Sequence, residues 1–332
     1  MAIRIGIISF AHIHAHGYAA GLQSMAPEVE LAGIYDDDAA RGKTVAENLG
    51  VPFFDQCGAL LDECDGVVVT SENSKHKDFV LAAAEKQKYV LCEKPIAPTL
   101  ADGRAMIEAF KGKNNQLMIA FPCRYSVPIR RAVEIVQQGK LGRIFALKGT
   151  NRGTMPGDWF CQPELSGGGA VIDHTVHVID VWRWMLGKEP VSVYAEADRL
   201  FYTDYEVEDA GLLSIEFENG VFASLDTSWS RPNQSFPTWG DVTMEIVGEQ
   251  GSLSLDAFNQ KFEVYDNQAV KAEWACWTDN IDQGLVNGFI KMIQNREMTP
   301  ISGHDGLKAT EVALGAYRSM EAGGPVQLPL QD

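Results

Sequence analysis

Positive charge is scarce in this chain: 28 lysines and arginines stand against 45 aspartates and glutamates, a formal net charge of −17 over 332 residues. Such a surface repels phosphate backbones and anionic lipid, which argues against nucleic acid or a membrane surface as a partner. Long apolar runs are missing as well. No segment approaches the ~20 residues needed to span a bilayer, and the N-terminus enters a short apolar run with no charged leader. The six cysteines, Cys57, Cys64, Cys92, Cys123, Cys161 and Cys276, include no C-x-x-C pair and read as reduced thiols of a cytoplasmic protein.

What is present is an ordinary globular composition, 45% hydrophobic and 22% charged, in a chain long enough for about two domains. The first half alternates short β-branched runs with amphipathic stretches. Strands are expected at Ile3–Ile8, Val29–Tyr35, Gly66–Thr70, Tyr89–Cys92 and Leu117–Ala120. Helices are expected over Ala15–Met25, Ala39–Leu49, Ser74–Lys86 and Thr99–Lys111. This rhythm predicts a parallel, doubly wound Rossmann-type sheet over residues 1–122.

Ligands of such sheets lie at the carboxyl ends of the strands. Val90-Leu91-Cys92-Glu93-Lys94-Pro95 closes a strand there with a lysine, followed by a proline that cannot continue the ladder. Asp36, ending the second strand, is placed to hydrogen-bond the ribose hydroxyls of a dinucleotide and to repel a 2′-phosphate, favouring NAD over NADP. Asp37 or Asp38 remains to cap the next helix.

Glycine is missing where a dinucleotide fold needs it most. In the register of G-x-G-x-x-G the chain reads Ser9-Phe10-Ala11-His12-Ile13-His14. Ser9 and Ala11 are small enough to approximate the first two glycines, whereas His14 should push the helix away from the strand. His12, His14 and His16 alternate, and a His-x-His pair is a known metal-holding device. With no adjoining cysteine or carboxylate in the sequence, they read as loop or phosphate-contacting residues, and no metal is expected.

From Arg124 the alternation stops. Residues 123–332 read as a substrate-binding and oligomerisation α+β domain. A helix over Ile129–Gln138 precedes strands at Ile144–Gly149, Val191–Glu196, Gly211–Phe217, Val221–Ser228, Asp241–Val247, Gly251–Asp256 and Lys261–Tyr265. Turn signals between them predict a largely antiparallel open sheet. Closing helices at Ile281–Asn295 and His304–Ala322 return to the first domain or cover that sheet. Alternating apolar positions on both faces point to a homodimer or homotetramer through the open face.

Three glycines, Gly167-Gly168-Gly169, open a helix carrying Asp173, His174, His177 and Asp180. Asp173, His177 and Asp180 share one helix face, so two carboxylates flank an imidazole, a device for proton transfer near neutral pH. Val171, Ile172, Val176, Val178 and Ile179 surround them, and charged groups on a buried helix are costly unless paired or used. Arg152, Trp159, Trp229, Arg231 and Trp239 are aromatic and cationic groups suited to a sugar, or equally to the core or a subunit interface.

With Glu93-Lys94-Pro95 after a Rossmann half and Gly-Gly-Gly…Asp173-x-x-x-His177-x-x-Asp180 in an antiparallel half, the chain resembles the Gfo/Idh/MocA oxidoreductase family over essentially its whole length. Asn73, His76, Arg124, Gly139…Leu141-Gly142, Glu208-Asp209-Ala210 and His304-Asp305-Gly306 add to the likeness. The chain departs from the family in its glycine-free loop and in Glu72, where the family often has proline. The resemblance implies hydride transfer between NAD and a sugar, inositol or related polyol. Cofactor contacts are then expected from Ser9, Phe10, Ala11, His12, Asp36, Thr70, Asn73, His76, Glu93 and Lys94. Substrate contacts are expected from Arg124, Arg152, Trp159, Asp173, His174, His177 and Asp180, with Lys94, Asp173 and His177 catalytic.

The chemistry suits the residues: a histidine takes the proton of a secondary alcohol while a lysine holds the developing alkoxide. Two rival readings remain: a sensor that keeps the fold without turnover, and a metal-dependent enzyme built on His12, His14 and His16.

Overall fold

A computed structural model describes residues 2–331 except 115, 260, 267–270 and 277–279, and for 261–266 and 271–276 it describes the backbone alone. The thiol of Cys276 therefore lies outside the described residues. The chain forms two compact units, Met1–Pro122 with Ile281–Leu307 and Cys123–Asn280 with Lys308–Asp332.

In the first unit the elements run β1 (Ile3–Ile8), α1 (His14–Gln23), β2 (Val29–Tyr35), α2 (Ala39–Leu49), β3 (Phe53–Phe54), α3 (Cys57–Asp62), β4 (Gly66–Val69), α4 (His76–Glu85), β5 (Tyr89–Cys92), α5 (Leu100–Phe110) and β6 (Leu117–Ile119). They build a parallel sheet in the order β3-β2-β1-β4-β5-β6. The central strands are enclosed on both faces, which is why Ile5, Ile7, Ile8, Val67, Val68 and Val69 read as unbroken apolar runs. Side-chain chemistry fixes the helix starts: Asp38 caps α2 by accepting from the Ala40 and Arg41 N–H groups, and Thr99 caps α5 through the Asp102 N–H. The sequence reading missed β3 and α3, whose two and six residues are too short for a periodic signal. Late in the chain α9 (Ile281–Asn295) returns to this unit and packs against α1, where Gln283 and Val286 meet Gly21, while Phe289 reaches Gly66 of β4.

The second unit carries α6 (Val127–Gln137), β7 (Ile144–Thr154), α7 (Pro163–Ser166), α8 (Ala170–Leu186), β8 (Pro190–Asp198), β9 (Ala210–Phe217), β10 (Phe222–Arg231), β11 (Gly240–Gly248), β12 (Gly251–Asp256), the hairpin β13 (Lys261–Asp266) and β14 (Lys271–Cys276), most of α10 (Gly303–Ala322), and β15 (Val326–Gln327). Its sheet has the order β12-β11-β7-β10-β9-β8-β15, antiparallel except between β7 and β10. α8 crosses one face. At Gly149 of β7 an added Cβ would stand 2.6 Å from the Trp182 ring, so glycine there lets helix and sheet close.

On the other face, register partners Val247, Ala146, Phe222 and Glu216 stand side by side. Leu212 and Phe222 are 63% and 61% exposed. Lys148, Glu245, Ser214 and Ser224 lie between such residues, so this face is a mixture of apolar and polar groups rather than a continuous apolar surface.

Candidate active site

In the first unit the carboxyl ends of β1, β2, β4 and β5 converge. Ser9 sits in the left-handed region (φ 71), the conformation for which the fingerprint normally spends glycine. The chain therefore makes the tight turn with a serine. The Ser9 carbonyl accepts the Thr70 hydroxyl (2.7 Å), the Ser9 hydroxyl oxygen accepts the Ala11 N–H (3.2 Å), and the His12 N–H donates to the Thr70 carbonyl (3.0 Å). The small side chains of Ser9 and Ala11 leave this backbone approachable, so the turn fits a dinucleotide although it lacks glycine.

Asp36 organises the same loop. Its carboxylate is fully enclosed and accepts from the N–H groups of Phe10 (2.8 Å) and Asp38 (3.0 Å) and from Arg41 Nε (2.8 Å) and Nη2 (2.6 Å). Arg41, 29% exposed at its side chain, covers the acid. Sequence reasoning overlooked this arginine, although its place in the first turn of α2 was a usable signal. On Lys75, the salt bridges to Asp37 and Glu72 continue the charged border.

The sequence shows no carboxylate beside the histidines, and here the structure corrects it. Glu93, fully enclosed at its side chain, accepts from His14 Nδ1 (3.0 Å) and the Tyr18 hydroxyl (2.6 Å) at Oε1, and from the Lys94 N–H (3.1 Å) at Oε2. His12 Nε2 faces the same carboxylate at 4.0 Å. The strand order brings together residues 79 positions apart. His16 takes no part; its ring packs edge-on against Phe10.

The ligand atoms of His12, His14 and Glu93 lie within 4.8 Å of one another, the composition of a metal site. The tautomer opposes that use. His12 Nδ1 accepts the His14 backbone N–H (3.2 Å), so a neutral His12 ring keeps its proton on Nε2, the atom a metal would need.

Burial alone would push the Glu93 carboxyl up, but His12, His14 and Lys94 together outweigh it and hold it well below the usual carboxylate range. For His14, burial pulls the imidazole down and Glu93 more than restores it, leaving it raised.

Lys94 is 4% exposed and joins Pro95 through a cis peptide. On the far side of this turn the buried His76 ring lies 3.0 Å from the Pro95 carbonyl through Nδ1 and 3.2 Å from the Ser71 carbonyl through Nε2. Burial lowers the His76 pKa, and a neutral ring donates to only one of the two carbonyls at a time. Asn73, also buried, opens the short 3-10 turn Asn73–Lys75 that leads into α4.

In the second unit the start of α8 is built on close approach. At Gly169 an added Cβ would fall 1.9 Å from the Glu208 carbonyl oxygen, so only glycine fits. The Glu208 carboxylate then accepts the N–H groups of Gly169 (3.0 Å) and Val171 (2.9 Å) and the Tyr317 hydroxyl (2.8 Å), capping the helix with an anion. One turn on, Asp173 Oδ2 accepts from Trp229 Nε1 (3.2 Å) and faces His174 Nε2 (3.3 Å). Trp229 is thereby a core residue, 1% exposed beside Cys161, Ala170 and Val207.

His174 packs on β7, where an added Cβ at Gly153 would stand 2.7 Å from its ring. His177 is 7% exposed on the same helix. Asp180, fully enclosed, is held in a fork by Arg124 Nε (2.7 Å) and Nη2 (2.6 Å), which ties the entry to α6 onto α8.

Not all the expected residues gather here. Two steps along β7 from Thr150 and opposite Asp241 in register, Arg152 lies on the open face of the sheet and pairs with Asp241 (3.2 Å), as does Arg231. His174 is against the other face. Trp159 is buried and stacked on Phe160 at 3.9 Å, and Trp239, 46% exposed, meets Phe258 edge-on.

Comparison with known proteins accounts for both units. Residues 3–121 match the oxidoreductase family with an NAD-binding Rossmann fold, and residues 129–254 match the GFO/IDH/MocA C-terminal domain. The myo-inositol 2-dehydrogenase of Thermotoga maritima is 28% identical, over 98% of this chain and 98% of its own. Among solved structures, GenD2 from gentamicin A biosynthesis in complex with NAD has a TM-score of 0.89 at 22% identity, covering 99% of this chain and 97% of its own. The scyllo-inositol dehydrogenase of Lactobacillus casei, with NAD(H) and scyllo-inositol bound, has a TM-score of 0.84 at 22% identity, covering 98% and 99%. With each half matched in order, the chain belongs to the GFO/IDH/MocA family and is an NAD-dependent oxidoreductase.

Proposed function

We propose that this protein transfers a hydride between NAD(H) and a secondary hydroxyl or carbonyl of a sugar, inositol or related polyol. The observation that carries the reading is a buried lysine, Lys94, fixed next to an enclosed carboxylate at the carboxyl end of β5, where open α/β sheets bind ligands. Relatives named for myo-inositol and scyllo-inositol supply the substrate class.

When bound, NAD supplies the hydride acceptor. The chain's own residues do the rest: His177 takes the hydroxyl proton, and the Lys94 ammonium holds the oxygen as negative charge develops on it. Asp173, oriented by Trp229 and His174, accepts a substrate hydroxyl or positions His177. On the cofactor side, Ser9, Ala11 and His12 line the pyrophosphate turn, and the Asp36–Arg41 pair meets the adenosine ribose. The reading includes a cytoplasmic setting and a dimer or tetramer through the open face of the second unit's sheet; a light-scattering mass of one chain at micromolar concentration rejects the oligomer.

The test is a panel of inositols, polyols and sugars with NAD and NADP, followed by the absorbance of the reduced nicotinamide. Lys94→Ala and His177→Ala should each slow turnover by about 10²–10⁴-fold while NAD still binds. Near-normal turnover in either variant overturns the assignment of that residue.

A further inference from the structure

His12 and His14 carry no chemical step in the reaction just described, yet both face one buried carboxylate, that of Glu93. Glu93 is their common partner, and its side chain is fully enclosed. What its carboxylate offers is a fixed acceptor for the N–H of the next residue, Lys94 (3.1 Å). The acceptor is fixed from α1: His14 opens that helix, Tyr18 follows four residues later on the same helical face, and both donate to Oε1 at 3.0 and 2.6 Å. Without His14, Oε1 keeps Tyr18 alone, and the carboxylate can turn about its last bond and release the Lys94 N–H. On the other side of the turn the His76 ring stands 3.0 Å from the Pro95 carbonyl.

We propose that His14 is a positioning residue for Lys94: by donating from Nδ1 to Glu93 it locks the turn that carries the lysine, so the glycine-free loop ties the cofactor-facing helix to the reacting group. The role rests on the reading of Lys94 given above. It gives His14 a task at the place where the third glycine of the fingerprint would stand, and it explains why a bulky residue there is tolerated: its ring reaches across to the end of β5 instead of being pressed between helix and strand. A shift of the turn by about 1 Å suffices to cost about a hundredfold in rate.

Hydrogen exchange of the full chain, followed by mass spectrometry over the peptide containing Lys94, tests the proposal without needing a substrate. In His14→Ala the Lys94 amide should exchange about tenfold or more faster, with the rest of the sheet unchanged. In His14→Asn, whose amide nitrogen is as many bonds from the backbone as Nδ1, protection should return to near the wild-type level. With NAD and a polyol turned over by the wild type, His14→Ala should lower kcat by about a hundredfold, leave KM for NAD within about threefold, and be largely rescued by His14→Asn.

Unchanged Lys94 protection in His14→Ala, or equal loss in both variants, overturns the proposal. So does stoichiometric zinc in the purified wild type, which would assign the loop to a metal. Full activity of Lys94→Ala with altered exchange in His14→Ala would instead reject the role of the lysine and leave the clasp standing.

Discussion

Two glutamates, Glu93 in the first unit and Glu208 in the second, each anchor the start of a helix from a residue far away in sequence, and their surroundings drive them in opposite directions. Glu93 is clasped by side chains, the imidazole of His14 and the hydroxyl of Tyr18, with a second imidazole facing it, and its pKa is held well below the usual range despite burial. Glu208 is clasped by the backbone of α8 and one tyrosine. Burial pushes it up, and the Val171 N–H and the Tyr317 hydroxyl recover only part of that rise. Equal numbers of donors therefore do not make equal sites: the neighbouring imidazoles and lysine decide the charge state of Glu93, where backbone dipoles only soften the cost of burial at Glu208.

The sharpest way to break this comparison is to remove each acid. Glu93→Ala strips the partner from His14, Tyr18 and the Lys94 N–H inside a closed site. It should cost about 3–5 kcal/mol in urea unfolding, the scale for breaking a buried ion pair from one side. A loss below about 1 kcal/mol would mean that the histidines are neutral and water-satisfied, and the contrast with Glu208 would vanish. Glu208→Ala leaves the Gly169 and Val171 N–H groups without their acceptor and should cost about 1–3 kcal/mol.

The pH dependence separates the two acids by sign. Glu93 has a folded pKa below its ordinary 4.5, so its contribution is present above 4.5 and is lost as pH falls through the folded value. Glu208 has a folded pKa above 4.5, so its contribution is present below 4.5 and is lost as pH rises through the folded value. In melting temperatures taken from pH 3 to 7, Glu93→Gln should therefore fall further behind the wild type as pH rises, while Glu208→Gln gains on it. Parallel slopes would show that both acids are governed by burial alone.

The contrast also marks what sequence reasoning reached. The alternation in the first half and the turn-separated strands in the second correspond to one parallel and one mostly antiparallel sheet, because a period of 2 or 3.6 is written in neighbouring residues. The α8 motif was visible for the same reason, since Asp173, His177 and Asp180 are local. The partners of those residues were not. Arg124 reaches Asp180 across 56 positions, Trp229 reaches Asp173 across 56, and His14 reaches Glu93 across 79, and no pattern within a window of one helix carries such pairings. Arg152 illustrates register. The sequence groups this arginine with the substrate residues, and strand parity puts it on the open face beside Asp241, a distinction of one residue in register. Tyr18 was within reach, because it stands four residues after His14 on a helix.

The smallest expected effect isolates backbone from side chain in the glycine-free turn. A residue other than glycine in the left-handed region costs about 1–2 kcal/mol, and Ser9 stands there with φ 71. Ser9→Gly removes that cost but adds about 0.5–1 kcal/mol of chain entropy to the unfolded state. It also removes the hydroxyl oxygen that accepts from the Ala11 N–H and from Arg41 Nη2, both at 3.2 Å. Gain and loss nearly cancel, so unfolding should shift by less than about 1 kcal/mol and NAD affinity should stay within about threefold. His14→Gly restores the third fingerprint position in the same way, yet it removes the donor to Glu93, which no backbone freedom replaces. A neutral Ser9→Gly beside a damaging His14→Gly places the loop's dependence in the side chain that crosses to Glu93. A loss above about 2 kcal/mol at Ser9 would place it in the serine hydroxyl, because backbone relief can only favour glycine there.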